Sequence, residues 1–186
     1  MLKKYLKSLG IIAMVSTFII GCGDPKPDLD QTVVQSATNI EQRNLIDSHN
    51  AARHRVGVTS DMTWDPVLEE YARVYAETIA NSGVWGHDPR NHELATGENL
   101  YTGTAKPTYE KASQAWIDER DVYTYAPIGD IVNQNKMVGH YTQIIWKDTT
   151  RVGCAMNIYK TGEYKNWYIV VCKYQTPGNY TGRYPY

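Results

Sequence analysis

The sequence carries one phenylalanine and three cysteines in 186 residues, and it has no basic run, internal repeat or low-complexity tract. Its longest apolar stretch, Leu9 to Ile20, covers 12 residues, where a helix crossing a bilayer needs about 20. A formal charge of −1 without clustered Lys or Arg argues against a nucleic-acid partner and against an electrostatic membrane patch. Three cysteines are too few for a disulfide scaffold, so a hydrophobic core must do the folding. A chain of this size can build one. Against the lone Phe stand fifteen Tyr and five Trp. Their polar handles suit half-wet grooves and interfaces as well as cores, and a Tyr-rich exported surface is the plainer alternative.

The apolar stretch follows Lys3, Lys4 and Lys7 and ends in Ile19-Ile20-Gly21-Cys22. A charged start, a short apolar core and a small residue before Cys resemble a bacterial lipoprotein signal, in which Cys22 is acylated and becomes the new N-terminus. Residues 1–21 are then a signal peptide, and the mature chain has 165 residues and a formal charge of −4. Gly23, rather than Asp, after the Cys resembles lipoproteins sent to the outer membrane or cell surface. Residues 22–37, with Asp24-Pro25-Lys26-Pro27-Asp28, read as a tether.

From about Thr38 the apolar spacing predicts a helix through Ile40, Leu45, Ile46, His49, Ala52, Arg53 and Val56, closed by Gly57. Trp64-Asp65-Pro66 predicts a second helix, with Asp as N-cap and Pro in the first turn, running to Asn81-Ser82-Gly83. Residues 85–100 read as an irregular polar segment. A third helix is expected from Thr108, with Ala112, Ala115, Trp116 and Glu119 on one face, and residues 122–138 as loop. Three strands are expected at 140–146, 151–159 and 167–174. A hairpin centred on Glu163 sets Cys154 opposite Cys172, close enough to bridge. Helices first and a sheet last fit an α+β fold with helices on both faces of an antiparallel sheet.

Four ionisable residues sit where this pattern does not ask for them. His140 heads a strand that buries Ile144 and Trp146. Glu119 falls on the apolar stripe of its helix, His87 lies in a loop beside Trp85, and Glu98 sits between Gly97 and Asn99. Two imidazoles and two carboxylates form a donor set suited to Zn²⁺. Each also has an ordinary reading: a surface loop residue, a turn, a helix-end charge and a hydrogen-bonded core histidine. No close-spaced His pair decides between them.

Four segments resemble, in order, the signatures of the CAP superfamily, which joins cysteine-rich secretory proteins, insect venom antigens and plant pathogenesis-related family 1 proteins. They are His49-Asn50-Ala51-Ala52-Arg53, Gly97-Glu98-Asn99-Leu100-Tyr101, Gly139 to Trp146, and Tyr168 to Tyr174 followed by Pro177-Gly178-Asn179-Tyr180. The resemblance covers about residues 40–186 and implies a CAP domain at 38–186 with a three-layer α-β-α sandwich. It implies a cleft of His87, Glu98, Glu119 and His140 that binds a divalent metal, often zinc, and a disulfide between Cys154 and Cys172. His49, Asn50 and Arg53 read as structural, because a helix face between Leu45 and Val56 is mostly buried.

Two positions depart from the family pattern. Asp88 stands where many relatives have Ser, removing the nucleophile of a proposed serine-protease reading, and Thr176 replaces a Pro usual in the plant tail. Two functions compete, beside a structural or host-interaction protein in which the four residues are vestigial. One is a non-enzymatic module that captures a lipid, sterol, fatty acid or peptide, with Tyr101, Tyr109, Tyr123 and Tyr125 as amphipathic walls. The other is a metal-dependent peptidase or esterase with Glu98 or Glu119 as general base.

Overall fold

A computed structural model describes residues 29–186. The expected signal peptide and the acylated Cys22 lie outside the described residues. Helix α1 spans Leu29–Arg55, beginning nine residues before the expected start at Thr38. No Gly or Pro interrupts the chain between Leu29 and Arg55, so nothing stops the helix from extending back toward the prolines. Over residues 39–55 its buried positions are Leu45, His49, Ala52 and Arg53, while Ile40 is exposed.

Strand β1 (Thr63–Trp64) leads into α2 (Pro66–Ser82). Asp65 caps α2 as expected, its Oδ1 accepting from the Val67 and Leu68 amides at 2.8 and 3.3 Å. Gly83 closes the helix at φ 71°, a left-handed conformation that glycine adopts without penalty. Residues Gly97–Gly103 form β2, where an irregular segment was expected. The sequence there is polar and glycine-rich, and pairing with the last strand along seven register positions overrides its weak propensity. Helix α3 (Tyr109–Ile117) buries Ala112, Ser113, Trp116 and Ile117, and Glu119 follows in a 3-10 turn, Asp118–Asp121.

The stretch expected as a strand at 140–146 is instead helix α4 (Gly139–Ile144). Tyr141 through Trp146 are all buried. A segment buried on every side has no hydrophobic period, so alternation could not separate strand from helix. Strands β3 (Arg151–Ile158) and β4 (Tyr168–Gln175) stand where predicted. Cys154 faces Cys172 in their antiparallel register, and the two are joined by a disulfide.

The sheet order is β1-β3-β4-β2, mixed rather than wholly antiparallel because the two-residue β1 runs parallel to β3. Helix α2 covers one face, packing Ala72, Tyr75, Ala76 and Ile79 on Leu100, Ala155, Ile169 and Val171. Helices α1, α3 and α4 cover the other, burying Leu45, Trp116, Ile144 and Ile145 against Val152, Val170 and Tyr174. The result is the expected three-layer α-β-α sandwich, with β2 at one edge of the sheet.

Candidate functional site

The structure assembles the four predicted cleft residues as two His–Glu pairs. His87 Nδ1 lies 2.7 Å from Glu98 Oε1, and His140 Nδ1 lies 2.5 Å from Glu119 Oε1. In each pair the carboxylate is the buried partner. Side-chain exposure is 62% for His87 against 1% for Glu98, and 22% for His140 against 9% for Glu119. Burying a carboxylate requires hydrogen bonds and counter-charge, and the two pairs meet that need differently.

Glu98 points to the α2 side of the sheet. Its Oε1 also accepts the Asp88 amide at 3.0 Å, and its Oε2 is 2.8 Å from Lys173 Nζ. Lys173 is wholly buried on β4, directly across from Glu98. Its ammonium also bonds Asp88 Oδ2 at 3.0 Å and Asn91 Oδ1 at 2.6 Å, and it lies 5.0 Å from the centre of the Tyr75 ring. Arg90 completes the cluster with a two-point contact to Asp88. Burial pushes the Glu98 carboxyl upward, but His87, Lys173 and the Asp88 amide outweigh it and hold the group below its ordinary range. Asp88 behaves alike, burial being outweighed by Arg90 and Lys173. Burial, with these two negative charges nearby, raises the Tyr75 hydroxyl.

Glu119 is held by backbone instead. Its Oε2 accepts the amides of His140 and Tyr141, both at 3.0 Å. Val138, which precedes α4, offers no side-chain cap. A carboxylate from the end of α3 therefore satisfies two of the first amides of α4 while steering the first ring in that helix. Trp116 stacks on the His140 ring, with centroids 6.1 Å apart, and donates its Nε1–H to the Leu100 carbonyl on β2.

Consecutive residues of the edge strand tie the pairs to one another. Glu98 belongs to the first, and Asn99 Nδ2 donates to the His140 carbonyl at 3.1 Å. Among the described residues no three His, Cys, Asp or Glu side chains gather as a metal-holding group. Three of the four oxygens of Glu98 and Glu119 accept hydrogen bonds. The fourth, Glu98 Oε2, has no hydrogen-bond partner and only the Lys173 ammonium 2.8 Å away, so the acids present themselves chiefly as supports for the rings. Each ring is bonded through Nδ1, and no hydrogen bond to either Nε2 forms among the described residues. Each pair leaves one imidazole Nε2 as a donor of the kind a divalent ion takes, with a carboxylate on the ring's other nitrogen. The arrangement does not fit direct ligation by all four side chains.

A cavity of about 280 Å³ opens beside the second pair. Tyr123, Pro127, Ile128 and Val138 give it apolar walls, and Gly139 and Thr142 of α4 form part of its lining. Of the four tyrosines expected to wall the cleft, Tyr123 lines this cavity, its hydroxyl pushed up to about 12 by burial. Tyr125 is exposed, sits between Tyr184 and Tyr186, and donates to the Tyr186 carbonyl at 2.7 Å. Tyr101 packs on the core. Tyr109 stacks on Trp64 and donates to the Cys154 carbonyl.

Lys173 and Asn99 were not singled out from the sequence. The signal for Lys173 was present: a charge in the apolar run Ile169-Val170-Val171-Cys172-Lys173-Tyr174 has to be buried and paired.

A family model described as CAP, the cysteine-rich secretory protein family, matches residues 46–174. The chain is a CAP protein. The motifs quoted above carry that membership across most of the described residues. This CAP chain is 37% identical to pathogenesis-related protein 1A of Nicotiana tabacum over 146 residues, which are 78% of this chain and 80% of that one. Its fold is similar to that of Na-ASP-1, with a TM-score of 0.66 at 23% identity over 78% of this chain and 41% of that one. It is also similar to NaASP2, whose crystal structure is described as with Zn²⁺, at a TM-score of 0.62 and 24% identity over 78% of this chain and 84% of that one. Membership in a secretory family and the Cys154–Cys172 disulfide both accord with an extracytoplasmic, oxidising location for this CAP domain.

Proposed function

We propose that this CAP protein is a non-enzymatic capture module, tethered to the outer face of a bacterial membrane or cell surface through acylated Cys22. Its ligand is an amphiphile, a fatty acid or sterol, held in the cavity beside His140. The observation that carries this reading is that cavity: a small concave site with apolar walls and a few polar groups, Asn133, Gln134 and Asn179 among them. The neighbouring Ile131 and Met137 are strongly exposed, at 80% and 70%, and would meet the apolar part of an arriving ligand.

His87 and His140 would hold a divalent ion through Nε2, with Glu98 and Glu119 fixing the tautomer and direction of each ring. The Zn²⁺ named with NaASP2 makes zinc the first ion to try. When bound, the ion would supply a fixed positive centre able to hold a carboxylate or hydroxyl headgroup.

The hydrolase reading is less favoured. A general base must offer a solvent-reachable oxygen to water; Glu98 Oε1 and both oxygens of Glu119 already accept from His87, His140 and three backbone amides, and Glu98 Oε2 is buried against the Lys173 ammonium. Asp88, in the place of a hydroxyl nucleophile, is buried and held by Arg90 and Lys173.

The test is mass spectrometry of whatever copurifies with the protein, followed by titration with fluorescent fatty acid and sterol. Saturable 1:1 binding, lost when Val138→Trp fills the cavity, is expected. Absence of any copurifying amphiphile and of saturable binding would overturn the reading. Chelator-sensitive ester or peptide turnover would replace it with the hydrolase. Metabolic labelling with palmitate, abolished by Cys22→Ser, tests the anchor.

A further inference from the structure

We infer that Asn99 is a positioning residue for His140, and that a buried chain of hydrogen bonds from Tyr174 through His49 to Ser113 holds Asn99 in place. The inference rests on the reading of His140 as a cleft ligand.

Asn99 is 1% exposed and points to the α4 side of β2, opposite Glu98. Its amide nitrogen has two hydrogens, and both are used. One goes to the His140 carbonyl at 3.1 Å, the other to the Tyr174 hydroxyl at 3.2 Å. His140 is thus gripped by three residues: Glu119 takes its ring Nδ1 and its backbone amide, Trp116 covers its ring face, and Asn99 takes its carbonyl. Glu119 and Trp116 come from the end of α3. Asn99 is the hold that comes from the sheet.

The direction of the chain behind it follows from donor chemistry. Tyr174 accepts from Asn99, so its O–H is free to donate to His49 Nε2, 3.0 Å away. His49 then carries its hydrogen on Nδ1, facing Ser113 Oγ at 2.9 Å. Ser113 Oγ lies 2.6 Å from Ser48 Oγ, which donates to the Leu45 carbonyl at 2.8 Å. His49, Asn99, Ser113 and Tyr174 are all buried. An unbroken buried chain has one low-energy arrangement, because any rotation leaves a group without its partner. The first-helix histidine is thereby linked to the fourth-helix histidine through β4 and β2.

The test compares Asn99→Leu and Tyr174→Phe with the unaltered protein in two measurements. The first is the imidazole ¹⁵N–¹H correlation spectrum, with the His87 ring as internal reference. The second is zinc affinity, by titration with zinc chloride at a temperature where each variant is folded. The expected result is a displaced or broadened His140 ring signal, an unchanged His87 signal, and zinc binding weakened by roughly 10-fold, as for loss of an outer-shell support. Tyr174→Phe keeps the aromatic ring in the core and decides the matter should Asn99→Leu fail to fold. A His140 signal identical to that of the unaltered protein in a folded variant would overturn the inference. Failure of the unaltered protein to bind zinc would instead overturn the metal reading, while the ring spectra would still decide whether Asn99 positions His140.

Discussion

Lys173 and Glu98 face one another across β4 and β2, with Nζ and Oε2 2.8 Å apart and neither side chain more than 1% exposed. A lysine that deep survives because Asp88 and Glu98 flank it, and the two acids survive because it is there. The cluster behind His87 stands or falls as a unit.

Lys173→Met should therefore cost about 3–5 kcal/mol, the usual penalty for leaving a buried charge without its partner. Here two carboxylates lose their shared buried counter-charge, Asp88 keeping Arg90 and Glu98 keeping His87. Urea denaturation should show the loss, and adding Asp88→Asn and Glu98→Gln should recover a large part of it. Equal stability of the single variant and the unaltered protein would show that the acids reach water.

His49 makes acid stability titratable. Burial, helped by Arg53, lowers its pKa to about 3. In the unfolded chain the group has an ordinary value near 6.5. Above that the ring is neutral in both states and its contribution is complete. Between about 6.5 and about 3 the unfolded chain binds the extra proton, so stability falls with falling pH by up to about 1.4 kcal/mol per unit. Unfolding free energies across this window should show that slope, and His49→Gln should flatten it while lowering the plateau.

Gly153 is where α2 meets the sheet. A Cβ built there would lie 2.1 Å from the Glu69 amide nitrogen and 2.6 Å from the Asp65 carbonyl, both backbone atoms of the helix start. Gly153→Ala has to push that end of α2 away from β3. A loss of about 1–3 kcal/mol is expected, read as a lower urea midpoint. A neutral result would show that the helix can shift freely.

The Cys154–Cys172 bridge joins residues 18 apart in sequence. The chain-entropy model gives about 3 kcal/mol for a loop of this size. Cys154→Ala with Cys172→Ala should lower stability by that order and retain the fold, since the two cysteines lie within a packed core.

How much of this was legible in the sequence depended on whether local chemistry or tertiary pairing decided each element. Trp64-Asp65-Pro66 announced α2 because a cap and a first-turn proline act locally. The β3–β4 hairpin announced itself through the symmetry of its cysteines about Glu163. Strand β2 did not, because Gly97 to Gly103 is extended by its pairing with β4 and not by its own residues. Helix α4 was misread because burial on all sides erases the period that separates helix from strand. The four cleft residues stood out as misplaced charges, yet their division into pairs 87–98 and 119–140 was not legible. It is set by the β2 register and by the way Glu119 caps α4. Lys173 was legible in principle, as a charge on an inward-facing strand.

Metal capture by this chain requires two imidazoles presenting Nε2 to one ion, and titration of the purified protein with zinc chloride tests this directly. The expected result is one zinc per chain, lost in His87→Ala and in His140→Ala, and weakened roughly 10- to 100-fold in Glu98→Gln and Glu119→Gln, whose carboxylates only orient the rings. Unchanged zinc stoichiometry and affinity in the double variant lacking both histidines would contradict it.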